Sequence, residues 1–255
     1  MSILNRKIVS SNRCFLRIVN LIDSQLNKIM KEPKFYRIFD YPNILLPNEY
    51  LASLEKDITN IEDARKSTGN SVGYPGWNLV YYLLMSHLDR NGFNHVVETG
   101  TNHGCTTIIL AQAIKDTKTN GVVHTIEIDS KNYQRAINNF AKAQLDHLIK
   151  PICGDSKIEL PKVVNELDSI RIAFLDGCHL LESVVFEFET IYPKLTNSSI
   201  VIFDNTFCIA EETEDQRVNG ALKYIYKNYG GQLINLEFVS WYTPGVAIWQ
   251  KQPYL

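Results

Sequence analysis

Val96-Val97-Glu98-Thr99-Gly100-Thr101-Asn102-His103-Gly104 is the stretch that decides the fold. An apolar run ends in an acid and a glycine, and a second glycine four residues later opens a segment with Ile108, Ile109, Ala111 and Ile114 at helical spacing. That reads as strand, tight turn, helix. Glycine at position 100 lets the backbone turn sharply and a ligand approach it closely, and Gly104 starts the helix with no side chain in the way. Asn102 stands where the G-x-G-x-x-G pattern has the middle glycine that admits a pyrophosphate, so the turn departs from a dinucleotide site.

Working outward, short β-rich runs alternate with helical patterns, the signature of a parallel sheet covered on both faces. A helix over Trp77–Leu88 precedes a strand at His95–Thr99. Further strands are expected at Val122–Ile126, Lys150–Cys153, Ile170–Leu175 and Ile200–Phe203. Helices are expected at Asn132–Leu145, Glu182–Leu195 and Asn219–Tyr229. Two β-rich runs, Leu233–Trp241 and Val246–Gln250, are joined by Thr243-Pro244-Gly245 and read as an antiparallel hairpin. The expected fold is α/β: a Rossmann-like, seven-stranded, mostly parallel sheet with helices on both faces and a C-terminal antiparallel hairpin. Residues 1–75, punctuated by Pro33, Pro42 and Pro47, read as a mainly helical N-terminal extension serving as lid or subunit contact, and 76–255 as the ligand-binding domain.

Composition narrows the function. With 45% hydrophobic and 21% charged residues in 255, the chain can bury a real core; its net charge of −2 gives no electrostatic footprint for nucleic acid. Five scattered cysteines with no C-x-x-C spacing argue against a disulfide framework and a structural zinc site, and suit a reducing cytoplasm. The apolar stretch Cys14–Ile22 is too short and interrupted to span a bilayer and reads as one side of an amphipathic helix, packing on the protein or touching a membrane surface.

In an open α/β sheet, ligands sit beyond the carboxyl ends of the strands. Here those ends carry Glu98, Glu127, Asp155, Asp176 and Asp204. Glu127 follows the second apolar run directly and is placed to accept from both hydroxyls of a ribose; Asp129 fits a helix cap. Asp155 and Ser156 follow the third strand in Cys153-Gly154-Asp155-Ser156, where a helix N-cap is one reading of Ser156. Asp176, Asp204 and Asn205 offer three oxygens at one point, a set suited to a hard divalent cation with open positions. The alternatives are strand-end acids that cap helices, a turn asparagine, and, for the nearby His179, a structural histidine bonded to a carbonyl. His103 and Glu182 are rival bases; Cys178 reads as a small filler.

Glu98-x-Gly100-x-x-x-Gly104 resembles the first motif of class I S-adenosylmethionine-dependent methyltransferases, whose cofactor has no phosphate, and a terminal hairpin is typical of them. By that resemblance Glu98, Gly100, Thr101, Gly104, Glu127, Asp155, Ser156 and Asp176 hold the cofactor, and the place of Asp155 and Ser156 at its purine base is what the resemblance implies. Asp176-Gly177-Cys178-His179 with Asp204-Asn205 resembles the divalent-metal-dependent catechol O-methyltransferase type and the bacterial macrocin and mycinamicin sugar O-methyltransferase type. That implies magnesium at Asp176, Asp204 and Asn205, with Asp176 and His179 catalytic and His179 as proton acceptor. The acceptor is then a hydroxyl on a small molecule, a sugar or glycosylated metabolite ahead of a catechol. The resemblance also implies a homo-oligomer. A metal-independent N- or O-methyltransferase and a non-catalytic cofactor-binding protein are the competing readings.

Overall fold

The computed structural model describes residues 46–56, 58–69, 71–206, 216–236 and 245–251, all within one compact unit. The expectations for residues 1–45, for the strand beyond position 236 and for the Thr243-Pro244 turn lie outside the described residues. In chain order the elements are α1 (Glu49–Glu55), α2 (Ile61–Thr68), α3 (Gly76–His87), β1 (Phe93–Thr99), α4 (Cys105–Thr117), β2 (Asn120–Glu127), α5 (Ser130–Lys142) and β3 (Ile149–Cys153). There follow α6 (Ser156–Glu166), β4 (Ile170–Leu175), α7 (Leu181–Ile191), β5 (Leu195–Asp204), α8 (Val218–Tyr229), β6 (Gln232–Leu236) and β7 (Val246–Gln250).

The seven strands form one sheet in the order β3-β2-β1-β4-β5-β7-β6. Strands β1 to β5 pair in parallel, and β7 runs antiparallel to both β5 and β6, as the C-terminal hairpin required. The strand order reverses between β1 and β4, so the crevice for a ligand opens above those two carboxyl ends.

The period-two alternation of each strand sorts the core into two layers. Val96, Val123, Ile172, Ile200 and Ile202 face a layer that includes Leu84, Ile108, Ile109 and Phe140. Val97, Ile126, Ala173, Val201 and Phe203 face the other, with Leu160, Val184, Phe188, Leu222 and Ile225. Both faces of the sheet are therefore dry, which explains why the strands read as continuous apolar runs.

Two elements differ from the sequence reading. Helix α6 carries Pro161 in its interior; a proline there removes one backbone hydrogen bond and blurs the helical signal. The helix after β4 ends at Ile191 rather than Leu195, because Pro193 breaks it into a short 3-10 turn, and Leu195 opens β5 opposite Ile170.

Residues between 46 and 75 join the first core layer. Leu51 and Val72 are fully buried there beside Trp77 and Val80. Asn48 caps α1 with its side-chain oxygen and donates through its amide to Gln112 of α4 at 2.9 Å. Leu51→Ala should therefore lower the stability of the whole unit by about 2–5 kcal/mol, read as a displaced single transition in urea. An unchanged midpoint would mean that α1 is a detachable cover.

Candidate active site

The turn after β1 is built on left-handed backbone at Gly100 (φ 81°), Asn102 (φ 50°) and Gly104 (φ 78°). A Cβ at Gly100 would stand 2.0 Å from the backbone oxygen of Asp176. The exit of β4 by itself therefore demands a glycine here. A Cβ at Gly104 would stand 2.3 Å from the ring of Phe140, which is how α5 seats the start of α4.

Beneath the turn lies Glu98, 1% exposed. Its Oε2 accepts from the hydroxyls of Thr107 (2.5 Å) and Thr125 (2.6 Å), and the Thr101 hydroxyl meets that of Thr125 at 2.5 Å. Glu98 and Thr101 thereby point their side chains into a hydroxyl network under the turn. Burial pushes the Glu98 carboxyl up to about 8 against the two threonines, which pull it down. At the end of β2, Glu127 accepts from the N–H of Asn102 (2.6 Å, Oε2) and of Asp129 (2.8 Å, Oε1). Lone pairs remain on both oxygens for further donors. Asp129 caps α5 with Oδ1, as its position suggested.

Above the turn is a cleft with about 220 Å³ of open space, lined by Thr68, Ser71, Gly100, His103, Thr106 and Asp176 among others. Sequence reasoning missed Ser71 and Thr106. Their hydroxyls meet at 2.8 Å, and Trp77 donates its indole N–H to Ser71 Oγ at 3.0 Å. The segment around Gly69 closes over the turn, because Asn102 Nδ2 donates to the Gly69 carbonyl at 2.6 Å.

The ends of β4 and β5 do come together. His179 Nε2 lies 3.1 Å from Asp176 Oδ1, and Asn205 Nδ2 lies 3.2 Å from His179 Nδ1. Asn205 has φ 53°, a strained conformation for a non-glycine residue that turns it back toward the histidine. Burial raises the Asp176 carboxyl well above the usual range, with Glu187 and Glu127 adding repulsion. Asp204 is raised likewise by burial and then by Asp176, and its Oδ1 is buried with no partner. Burial lowers His179 below its ordinary value, opposed chiefly by Asp204, so it is neutral at neutral pH.

Asp155 caps α6, accepting from the Lys157 N–H at 2.9 Å. Ser156 donates instead to Glu187 Oε1 (2.7 Å), and Thr99 donates to Glu187 Oε2 (2.9 Å). Glu187, 1% exposed, was missed from the sequence. The signal was present: an acid inside the apolar stripe Val184, Phe188 and Ile191 of α7.

Residues 97–206 match the family model of a methyltransferase domain. The sheet, with six strands pointing one way and β7 the other, is the Rossmann-like methyltransferase fold. The Streptomyces achromogenes O-methyltransferase TomG, involved in tomaymycin synthesis and solved with SAM, superposes with a TM-score of 0.64 at 16% identity, over 81% of this chain and 91% of TomG. An O-methyltransferase from Bacillus cereus in complex with SAH gives 0.64 at 18% identity, over 82% and 93%. SAH-bound PaMTH1 of Podospora anserina gives 0.60 at 13% identity, over 80% and 87%. A search of curated protein sequences returns no match. At these identities the structural likeness speaks for the fold.

The buried acids of this domain make its stability pH-dependent. Folded Glu98 keeps a proton that the unfolded chain releases near its ordinary value of 4.5. The folded state therefore binds more protons between about pH 4.5 and about pH 8, and stability falls as pH rises through that window. Urea denaturation at about pH 5 and about pH 8 should show a loss on the order of a few kcal/mol, and Glu98→Gln should flatten it. Equal slopes in the two proteins would show that Glu98 is ionised when folded.

Proposed function

We propose that this protein is an S-adenosylmethionine-dependent O-methyltransferase acting on a hydroxyl of a small molecule, with a divalent cation, magnesium by its oxygen donors, at Asp176, Asp204 and Asn205. The acceptor class that Asp176-Gly177-Cys178-His179 indicates is a sugar or glycosylated metabolite. The observation that carries the reading is the meeting of Asp176, His179 and Asn205 at 3.1 and 3.2 Å, directly beside the Gly100 turn.

The residues divide the work by position. Glu127 presents its free lone pairs to the ribose hydroxyls. The hydroxyls of Ser71 and Thr106, with the N-terminus of α4, suit the carboxylate of the cofactor's amino-acid end. Ser156 and Asp155 face the base. S-adenosylmethionine, when bound, supplies an electrophilic methyl group on a sulfonium centre. Asp176, Asp204 and Asn205 fit a divalent cation, because two crowded carboxylates and the unpartnered Asp204 Oδ1 need a positive charge. When bound there, such an ion would supply Lewis-acid chemistry, making a substrate hydroxyl easier to deprotonate. His179 is neutral, so it takes the hydroxyl proton. Asp176 accepts from the Nε2–H and holds the tautomer whose Nδ1 lone pair faces Asn205; that pair accepts from the Asn205 amide in this structure, and the acceptor hydroxyl takes the amide's place. Much of the remaining acceleration comes from alignment of the two reactants.

A second reading keeps the fold without the metal. Among the described residues, no three His, Cys, Asp or Glu side chains are grouped so as to hold a metal ion. The His179–Asp176 pair would then deprotonate an acceptor unaided, for O- or N-methylation.

Calorimetry should show S-adenosylhomocysteine binding to the wild type. Methyl transfer should be lost with EDTA and restored by magnesium; activity indifferent to the chelator selects the metal-free reading. His179→Ala should keep cofactor affinity and lose about 10²–10⁴-fold in rate. If the rate holds, His179 is not the base.

A further inference from the structure

Glu187 does not touch the reaction centre, yet it ties together three strand exits on the cofactor side. Its Oε2 accepts from Thr99 at the end of β1, and its Oε1 accepts from Ser156 at the start of α6. A Cβ on Gly177, just past β4, would stand 2.8 Å from the same Oε1. An acid this buried is expensive unless its oxygens are bonded, and both are. The chain therefore holds an acid on the apolar face of α7, with Ser156 and Thr99 favouring its ionised form against burial.

The position of Ser156 gives that group a use. Backbone pairing sets Glu127, at the end of β2, opposite Cys153 of β3, and the Gly154 N–H bonds the Glu127 carbonyl at 2.8 Å. A nucleoside whose ribose lies at Glu127, with its amino-acid end in the cleft above Gly100, has its base on the β3 side, at Gly154-Asp155-Ser156. A serine hydroxyl has one proton and two lone pairs. Ser156 gives that proton to Glu187, so toward a ligand its oxygen only accepts. As the first residue of α6, Ser156 also has a backbone N–H with no partner inside the helix. Asp155 caps the N–H of Lys157, not that of Ser156.

We infer that Glu187 is a positioning residue for purine recognition: it fixes the Ser156 hydroxyl as an acceptor, and so selects a base with an exocyclic amino group over one with a carbonyl there. An acceptor oxygen beside a donor N–H matches the amino group and ring nitrogen of adenine. It opposes hypoxanthine, which presents a carbonyl and a ring N–H at the same places. Selection comes from the mismatch as much as from the match. The inference rests on the cofactor reading of the preceding subsection.

The test compares S-adenosylhomocysteine with S-inosylhomocysteine by calorimetry. The wild type should prefer the adenine compound. Glu187→Leu, which suits the apolar face but accepts nothing from Ser156, should shrink the ratio of the two affinities by about tenfold or more. Ser156→Ala, at a partly exposed helix start, should do the same without disturbing the core. Glu187→Gln, whose amide oxygen still accepts from Ser156, should keep the ratio. A merely structural role would weaken both ligands together and leave the ratio where it was. An unchanged ratio in Glu187→Leu or Ser156→Ala, or a ratio lost in Glu187→Gln, overturns the inference. If Glu187→Leu does not fold, Ser156→Ala decides. Failure of the wild type to bind either compound strikes the cofactor reading itself and the inference with it.

Discussion

Desolvated carboxylates set the terms for this molecule. Glu98, Glu127, Asp176, Glu187 and Asp204 are gathered at one end of one sheet; all but Asp176 are below 10% exposed, and Asp176 also has its carboxyl buried. Each buried carboxyl group, ionised or protonated, is costly unless it is hydrogen-bonded. The surrounding sequence answers with neutral donors: Thr107 and Thr125 for Glu98, Ser156 and Thr99 for Glu187, two backbone N–H groups for Glu127. The acids that lack a full answer are Asp204 and Glu98, each with one oxygen buried and unpartnered.

The same donors explain why the turn after β1 is so firmly placed. Asn102 is held on one side by Glu127 and on the other by the Gly69 carbonyl, and Asn139 reaches from α5 to the His103 carbonyl at 2.9 Å. Tyr50 in turn donates to Asn139 at 2.7 Å. The helices that precede the sheet are thereby wired to the turn through two amide side chains. Binding at a site already ordered in this way loses little conformational entropy.

Much of this was legible in the residues. Continuous apolar runs ending in acids gave the parallel sheet and its active end, and the Thr-Pro-Gly signal before Val246 gave the antiparallel strand. Asp176 and Asn205 were named from strand ends and His179 through the family resemblance, and their side chains meet. What escaped had physical causes. Helix α6 hid behind Pro161. Residues 46–75 read as an extension because three prolines punctuate the first 47 residues, although Leu51 and Val72 are as buried as any strand residue. Ser71 and Thr106 are ordinary hydroxyls whose meaning comes only from meeting across 35 positions of chain. Glu187 is a single acid in a helix, and only its buried partners set it apart from a surface residue.

Gly100 carries a consequence for how such chains are read. Its missing Cβ makes room for the backbone of β4, so the spacing of two strands is enough to require the residue. A descendant of this protein that had given up binding would still need glycine there to fold. Its Glu127, which holds the N–H groups of Asn102 and Asp129, and its Ser71, which holds the Trp77 indole, would be kept for the same kind of reason. The most visible letter of the motif is therefore a marker of architecture before it is a marker of chemistry.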